Sequence, residues 1–282
     1  MLKSPKKKLK VFTEACLLIV IFTVIIYFLT WSPGRIYKII VPAVIIVFAM
    51  YGGFRIKKKT GDKLWLTLGA LASGFWLFTV LRYFSITQWP LGYADNLQRY
   101  FNLMIHHLAM AVCVLVPVIL ISSKKDVKES LRFGKWKMRF PKRAGIYVLT
   151  ASSVGVWIWA FSGIIRTHEY SGMRWAGFLA IALVKAFLTG ASEEAGYRGF
   201  IQKQAVKRFG PITGIIFQAI IYTAFHLNLG PAFFDFFPFM MSVFTVGLIF
   251  GFVSWKTKGI GWAVIIHTGV DLVIEWRNIL PT

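Results

Sequence analysis

Inside long apolar runs the chain carries a few residues able to exchange protons: Glu193, Glu194 and Arg198 in TGASEEAGYRGF, His226 in YTAFH, and His267 and Asp271 in HTGVD. A charge at the centre of a membrane-spanning helix costs about 2.5–3.5 kcal/mol on insertion scales, so two adjacent carboxylates are a poor choice for packing alone. Glu194 and Arg198 are four residues apart, on one helical face, and suit an ion pair. Glu193 points about 100° away from Glu194, so one carboxylate is held while the other is left to act. A purely structural pair needs one acid and one base. This set gathers histidines, which titrate near neutrality, beside an excess of carboxylate, and that points to a functional site; the alternative is a buried charge network that only locks helices together.

The spacing of the turns says where these groups meet. Glu193 lies 17 residues before Gly210 and His226 lies 16 after it, so an antiparallel hairpin turning at Gly210-Pro211 brings both to one depth. His267 follows the KTKG turn by about nine residues, roughly 13 Å of helix. If Lys203, Lys207 and Arg208 carry the Gly210 turn about 10 Å beyond the bilayer core, the three side chains converge in its cytoplasmic half. Asp271, four residues after His267, shares its face. Lys185 lies about two turns before Glu193 and either neutralises one carboxylate or stretches outward. The other ionisable groups within apolar runs have structural readings: Glu14 and Glu275 reach headgroups, Arg82 snorkels, and His106 and His107, about 100° apart, are core or interface histidines.

The elements that must hold this cluster are membrane helices. The chain of 282 residues is 57% hydrophobic and 16% charged, which excludes an ordinary soluble domain. Apolar segments cover about 11–31, 36–54, 64–86, 100–121, 144–165, 175–195, 211–229, 232–255 and 259–276, giving an all-α polytopic transmembrane bundle of eight or nine spans with a polar intramembrane cavity. The first segment is too long for a signal peptide and reads as an anchor. The net charge of +22 is not a nucleic-acid footprint, because 25 of the 33 Lys and Arg residues sit in five segments between apolar runs, all on one side. That side is cytoplasmic by the positive-inside rule, which places the N terminus in the cytoplasm and the protein in the cell membrane, with the site opening towards the cytoplasm. The loop SSKKDVKESLRFGKWKMRFPKR is an ordinary basic loop or lies on the anionic inner leaflet.

Cys16 and Cys113 lie in apolar runs and read as packing residues, not a disulfide or a thiolate metal site. No phosphate-binding loop, dinucleotide fingerprint, HExxH, GxSxG or internal repeat is present.

At its C-terminal half the sequence resembles the CAAX-processing and bacteriocin-processing (Abi) family of intramembrane proteases, which includes the prenyl-protein endopeptidases. EEAGYR matches the family's EExxxR, YTAFH its FxxxH with Tyr222 in place of Phe, and HTGVD its His followed four residues on by Asn or Asp. The resemblance covers about 175–276, dividing the chain into N-terminal helices without a motif, 1–170, and a protease core, 171–282. It implies hydrolysis of a peptide bond in a membrane-associated protein or peptide. Glu193 would take a proton from water, His226 would hold that water, and His267 with Asp271 would stabilise the oxyanion. Asp271 either orients His267 or, protonated, donates directly, and the Tyr222 hydroxyl adds a group one turn from His226. No cofactor is favoured; the alternative is Zn²⁺ on Glu193, His226 and His267. Two other functions fit the composition: a non-catalytic membrane scaffold for a sensor kinase or secretion component, and a small-solute carrier, which the missing repeats disfavour.

Overall fold

The computed structural model describes residues 13, 35–83, 96–134, 172–226 and 236–277. Two of the expected spans, 11–31 and 144–165, lie outside the described residues apart from Thr13, as do Cys16, Glu14 and the side chains of Arg82, His106 and Glu275. All described secondary structure is helical. The long elements are α1 (Arg35–Thr60), α2 (Leu64–Tyr83), α3 (Asn96–Ile121) and α5 (Gly172–Glu193). They are followed by α7 (Pro211–Phe225), α8 (Phe236–Thr257) and α9 (Gly261–Arg277). Short helices α4 (Lys124–Ser130) and α6 (Lys203–Phe209) lie between them.

Among the described residues two helices are long and apolar enough to cross a membrane, at Ile40–Thr60 and Met240–Thr257, and Leu64–Phe78, His107–Ile121 and Pro211–Phe225 are shorter apolar helices. Their outer faces keep large apolar side chains exposed, among them Val47 and Phe48 on α1, Leu120 on α3 and Phe252 on α8, which suits a surface solvated by lipid.

Between α5 and α6 the chain differs from the α-helix expected of it. Glu194–Gln202 is a nine-residue π-helix, buried at every position. Its wider turn still sets residues four apart on nearly one face. Among the described residues this segment is central. It packs against α2, α3, α4, α7 and α8, while α3 and α9 flank α5. The main core joins Leu64, Leu68 and Leu71 of α2, Val114 and Val118 of α3, Tyr197, Phe200 and Ile201 of the π-helix, and Phe217, Ile221 and Phe225 of α7.

The described parts of the basic loops gather at one end of the bundle. Asp62 pairs with Arg208, Lys63 with Asp126, and Lys203 with Glu129, so the α1–α2 turn, α4 and α6 are tied together. The segment after α4 then pairs with the α8–α9 turn, where Ile260 N donates to Arg132 O at 2.9 Å and Gly261 N to Phe133 O at 3.0 Å. Ser123 caps α4, its hydroxyl accepting from Asp126 N.

Candidate active site

Three elements carry the cluster: the junction of α5 with the π-helix holds Glu193 and Glu194, the end of α7 holds His226, and α9 holds His267 and Asp271. The close approach of α5 and α9 depends on Gly190, where a Cβ would stand 3.1 Å from Thr268 Oγ1, 3.2 Å from Thr268 N and 3.4 Å from His267 Cβ. A larger residue there would push α9 away, and His267 with it.

Glu194 is fully buried, and one of its oxygens serves two partners. Oε1 is 2.9 Å from Arg198 Nη1 and 2.8 Å from His267 Nδ1. The sequence pairs Glu194 with Arg198 alone; the structure adds His267, which the spacing along one helix does not reveal. An ionised carboxylate only accepts, so Nδ1 of His267 carries the hydrogen and Nε2 is the atom turned to the remaining acids. Nε2 lies 3.5 Å from Asp271 Oδ1 and 3.8 Å from Glu193 Oε2. His267 is therefore held first by Glu194, with Asp271 beside its other nitrogen. Glu193 Oε2 finds no hydrogen-bond partner among the described residues.

Arg198 is as buried as Glu194, and aromatic rings surround it. Its guanidinium carbon lies 4.2 Å from the centre of the Tyr222 ring, 5.3 Å from that of Phe250 and 6.0 Å from that of Tyr197. The ring faces supply negative potential where water is excluded. Tyr222 thus presents its ring face to Arg198. The same ring is 4.4 Å from His226 and 6.3 Å, edge-on, from His267, so it stands between the two histidines. Tyr197 and Phe250 were not legible as site residues: Tyr197 sits inside EEAGYR, but nothing marks Phe250.

His226 joins the site at the C-terminal end of α7, where its Nδ1 is 2.8 Å from Tyr222 O. A carbonyl has no hydrogen to give, so Nδ1 donates and Nε2 keeps its lone pair. Lys185 is buried in α5. Among the described residues no three His, Cys, Asp or Glu side chains are grouped so as to hold a metal ion, including Glu193, His226 and His267.

The arrangement is one of a carboxylate with an open oxygen, a histidine with an open lone pair and a second histidine clamped by acids. Residues 175–273, which contain all of these groups, match the sequence model of the Rce1-like family, described as type II CAAX prenyl endopeptidase. This stretch is similar to the Rce1-like family over 175–273, about a third of the chain. That family is one of membrane-embedded proteases acting on membrane-associated proteins, and the long apolar helices described above suit a membrane protein. No match was found among curated proteins or among solved structures.

Proposed function

We infer that the protein is an intramembrane endopeptidase that hydrolyses a peptide bond in a membrane-associated protein or peptide, with Glu193 as the base. The observation that carries this reading is the unequal engagement of the two glutamates. Each leaves its Oε2 without a hydrogen-bond partner among the described residues, but Glu194 spends Oε1 on Arg198 and His267 at 2.9 and 2.8 Å, whereas Glu193 comes no nearer to His267 than 3.8 Å. Glu193 accepts a proton from water, and His226 Nε2 accepts a hydrogen bond from that water and fixes its direction. The oxygen attacks the scissile carbonyl carbon. His267, protonated on Nε2, donates to the oxyanion that forms, and the Asp271 carboxylate nearby stabilises the imidazolium charge. Collapse of the tetrahedral intermediate breaks the C–N bond, and the proton held by Glu193 passes to the leaving amine. Residues 171–282 carry the chemistry, and α1–α3 form the wall against which the π-helix packs.

The convergence of the basic loops at one end supports a bundle oriented with that end in the cytoplasm of a cell-membrane protein. Anionic lipid suits this end.

In this reading no metal is required. Excess chelator leaves cleavage in reconstituted vesicles within about twofold of the untreated rate, since water is activated by a carboxylate. Stoichiometric Zn²⁺ lost together with activity would transfer the chemistry to a metal on Glu193, His226 and His267. A purified chain that binds a membrane partner and cleaves nothing would instead be a scaffold.

A further inference from the structure

A second polar group lies deep in the bundle, away from the titratable cluster. Gln202 closes the π-helix four residues after Arg198, and Gln218 sits on α7 four residues before Tyr222, so both stand one turn from the site on its basic-end side. They meet at Gly251 of α8, where a Cβ would lie 3.0 Å from each of Gln202 Oε1, Gln218 Oε1 and Ile215 Cγ2. Gln202 Nε2 donates to Gly251 O at 2.8 Å. Ser254, three residues further along α8, continues the same face towards the basic end. Gln218 is 0%, Gln202 4% and Ser254 6% exposed. Yet Gln202 Oε1, both amide atoms of Gln218 and Ser254 Oγ find no hydrogen-bond partner among the described residues.

Orphaned amide and hydroxyl atoms at this depth are costly, and the four within a helical turn of Gly251 would together consume much of a domain's net stability. The chemistry of the set says what satisfies them. Neutral oxygens without a carboxylate, one turn from a buried guanidinium, are a poor cation site. Water gives and accepts hydrogen bonds and needs two to four partners, which this group offers. Hydrolysis consumes one water per bond cleaved, its oxygen going to the acyl carbon and its hydrogens to the two products. A peptide arriving from the lipid side does not bring that water.

We propose that Gln202, Gln218 and Ser254 form a buried water station that supplies the Glu193 site from the basic end of the bundle, apart from the path taken by substrate. The proposal rests on the hydrolase reading for its purpose, but the station itself does not.

The test uses the full chain in lipid nanodiscs. Hydroxyl radicals generated by X-ray radiolysis label buried side chains that touch ordered water, and Ile215, itself 7% exposed, reports on the station. Labelling of Ile215 is present in the parent and falls about fivefold in Gln218→Met, which replaces both orphaned atoms with apolar ones of similar shape. The same variant loses about tenfold in kcat with KM unchanged and a thermal midpoint no lower than the parent's, which a packing role for Gln218 does not give. Ser254→Ala removes a single hydroxyl and gives a smaller loss in both readouts, which keeps the test decisive should Gln218→Met not fold. An unlabelled Ile215 in the parent, or parental labelling in both variants, overturns the station. Labelling lost with kcat retained overturns the supply role. A parent that cleaves nothing fails the hydrolase reading, while the labelling still decides whether water is bound.

Discussion

The same kind of interaction, a carboxylate against a cationic side chain, occurs in two places under opposite conditions. At the basic end, Lys63–Asp126 and Lys203–Glu129 are partly exposed and join separate elements. At the site, Glu194 and Arg198 are both entirely buried and lie on one helical segment. Pairs of the first kind contribute about 0–1 kcal/mol each, because water already solvates the separated charges. The second kind pays desolvation on both ions, and replacing it by an apolar pair is often neutral or stabilising, yet removing one partner is severe. The buried pair is therefore hard to explain by stability. What it gives is position, since the oxygen that faces Arg198 also holds His267.

The largest stability effect is predicted where that oxygen is neutralised. Glu194→Gln leaves Arg198 without its counter-ion among aromatic rings and frees His267, at a cost of about 3–5 kcal/mol. The thermal midpoint in detergent falls by roughly 10 °C or more and cleavage is lost with it. A midpoint equal to the parent's would place the buried pair in the same class as the exposed ones.

A smaller effect separates the charge from the rings around it. Tyr222→Leu removes the face that lies under Arg198 and costs about 0.5–2 kcal/mol, while Tyr222→Phe keeps the face and stays near the parent. Equal losses in the two would assign the role to the hydroxyl, as the sequence first suggests.

The smallest effect belongs to the basic end, and it has a sign in pH. Burial pushes the Asp126 carboxyl up, and the hydrogen bonds from Lys63 and Ser123 with the Lys63 charge outweigh it, holding the group at about 2. A carboxyl depressed in the folded state contributes above its unfolded pKa of about 3.9 and loses that contribution as pH falls through the folded value. Asp126→Asn thus lowers stability by about 0.2–1 kcal/mol at neutral pH, and the difference in midpoint from the parent closes as pH drops from 4 towards 2. Thermal melts of the two proteins at pH 7, 4 and 2.5 measure it; a gap that widens in acid contradicts the assignment.

The comparison also explains which features the sequence displays. Apolar runs about 20 residues long and basic punctuation made α1, α2, α3, α5, α7, α8 and α9 legible, because helical spans in lipid must satisfy their own backbone. The four-residue spacings of Glu194 with Arg198 and of His267 with Asp271 were legible for the same reason: they are local. The link from Glu194 to His267 joins residues 73 apart in sequence. It depends on how closely α5 and α9 pack at Gly190, and one glycine among 24 gives no advance notice of that. The π-helix was equally hidden, for it arises from the packing of a buried segment against five neighbours and has no periodicity of its own in nine residues. Arg132 and Phe133 fall in a basic loop of the sequence and Gly261 at the start of the apolar segment 259–276, and their backbone pairing appears only once the turns are folded together.

The central claim is that the two glutamates divide the labour, one holding and one reacting. Glu193→Gln in the purified full chain is the direct measurement, since the amide keeps the shape of the side chain and removes only the ability to take a proton from water. The account predicts cleavage below about a thousandth of the parental rate for a lost general base, with a thermal midpoint close to the parent's. Cleavage at the parental rate would contradict it and remove Glu193 from the chemistry.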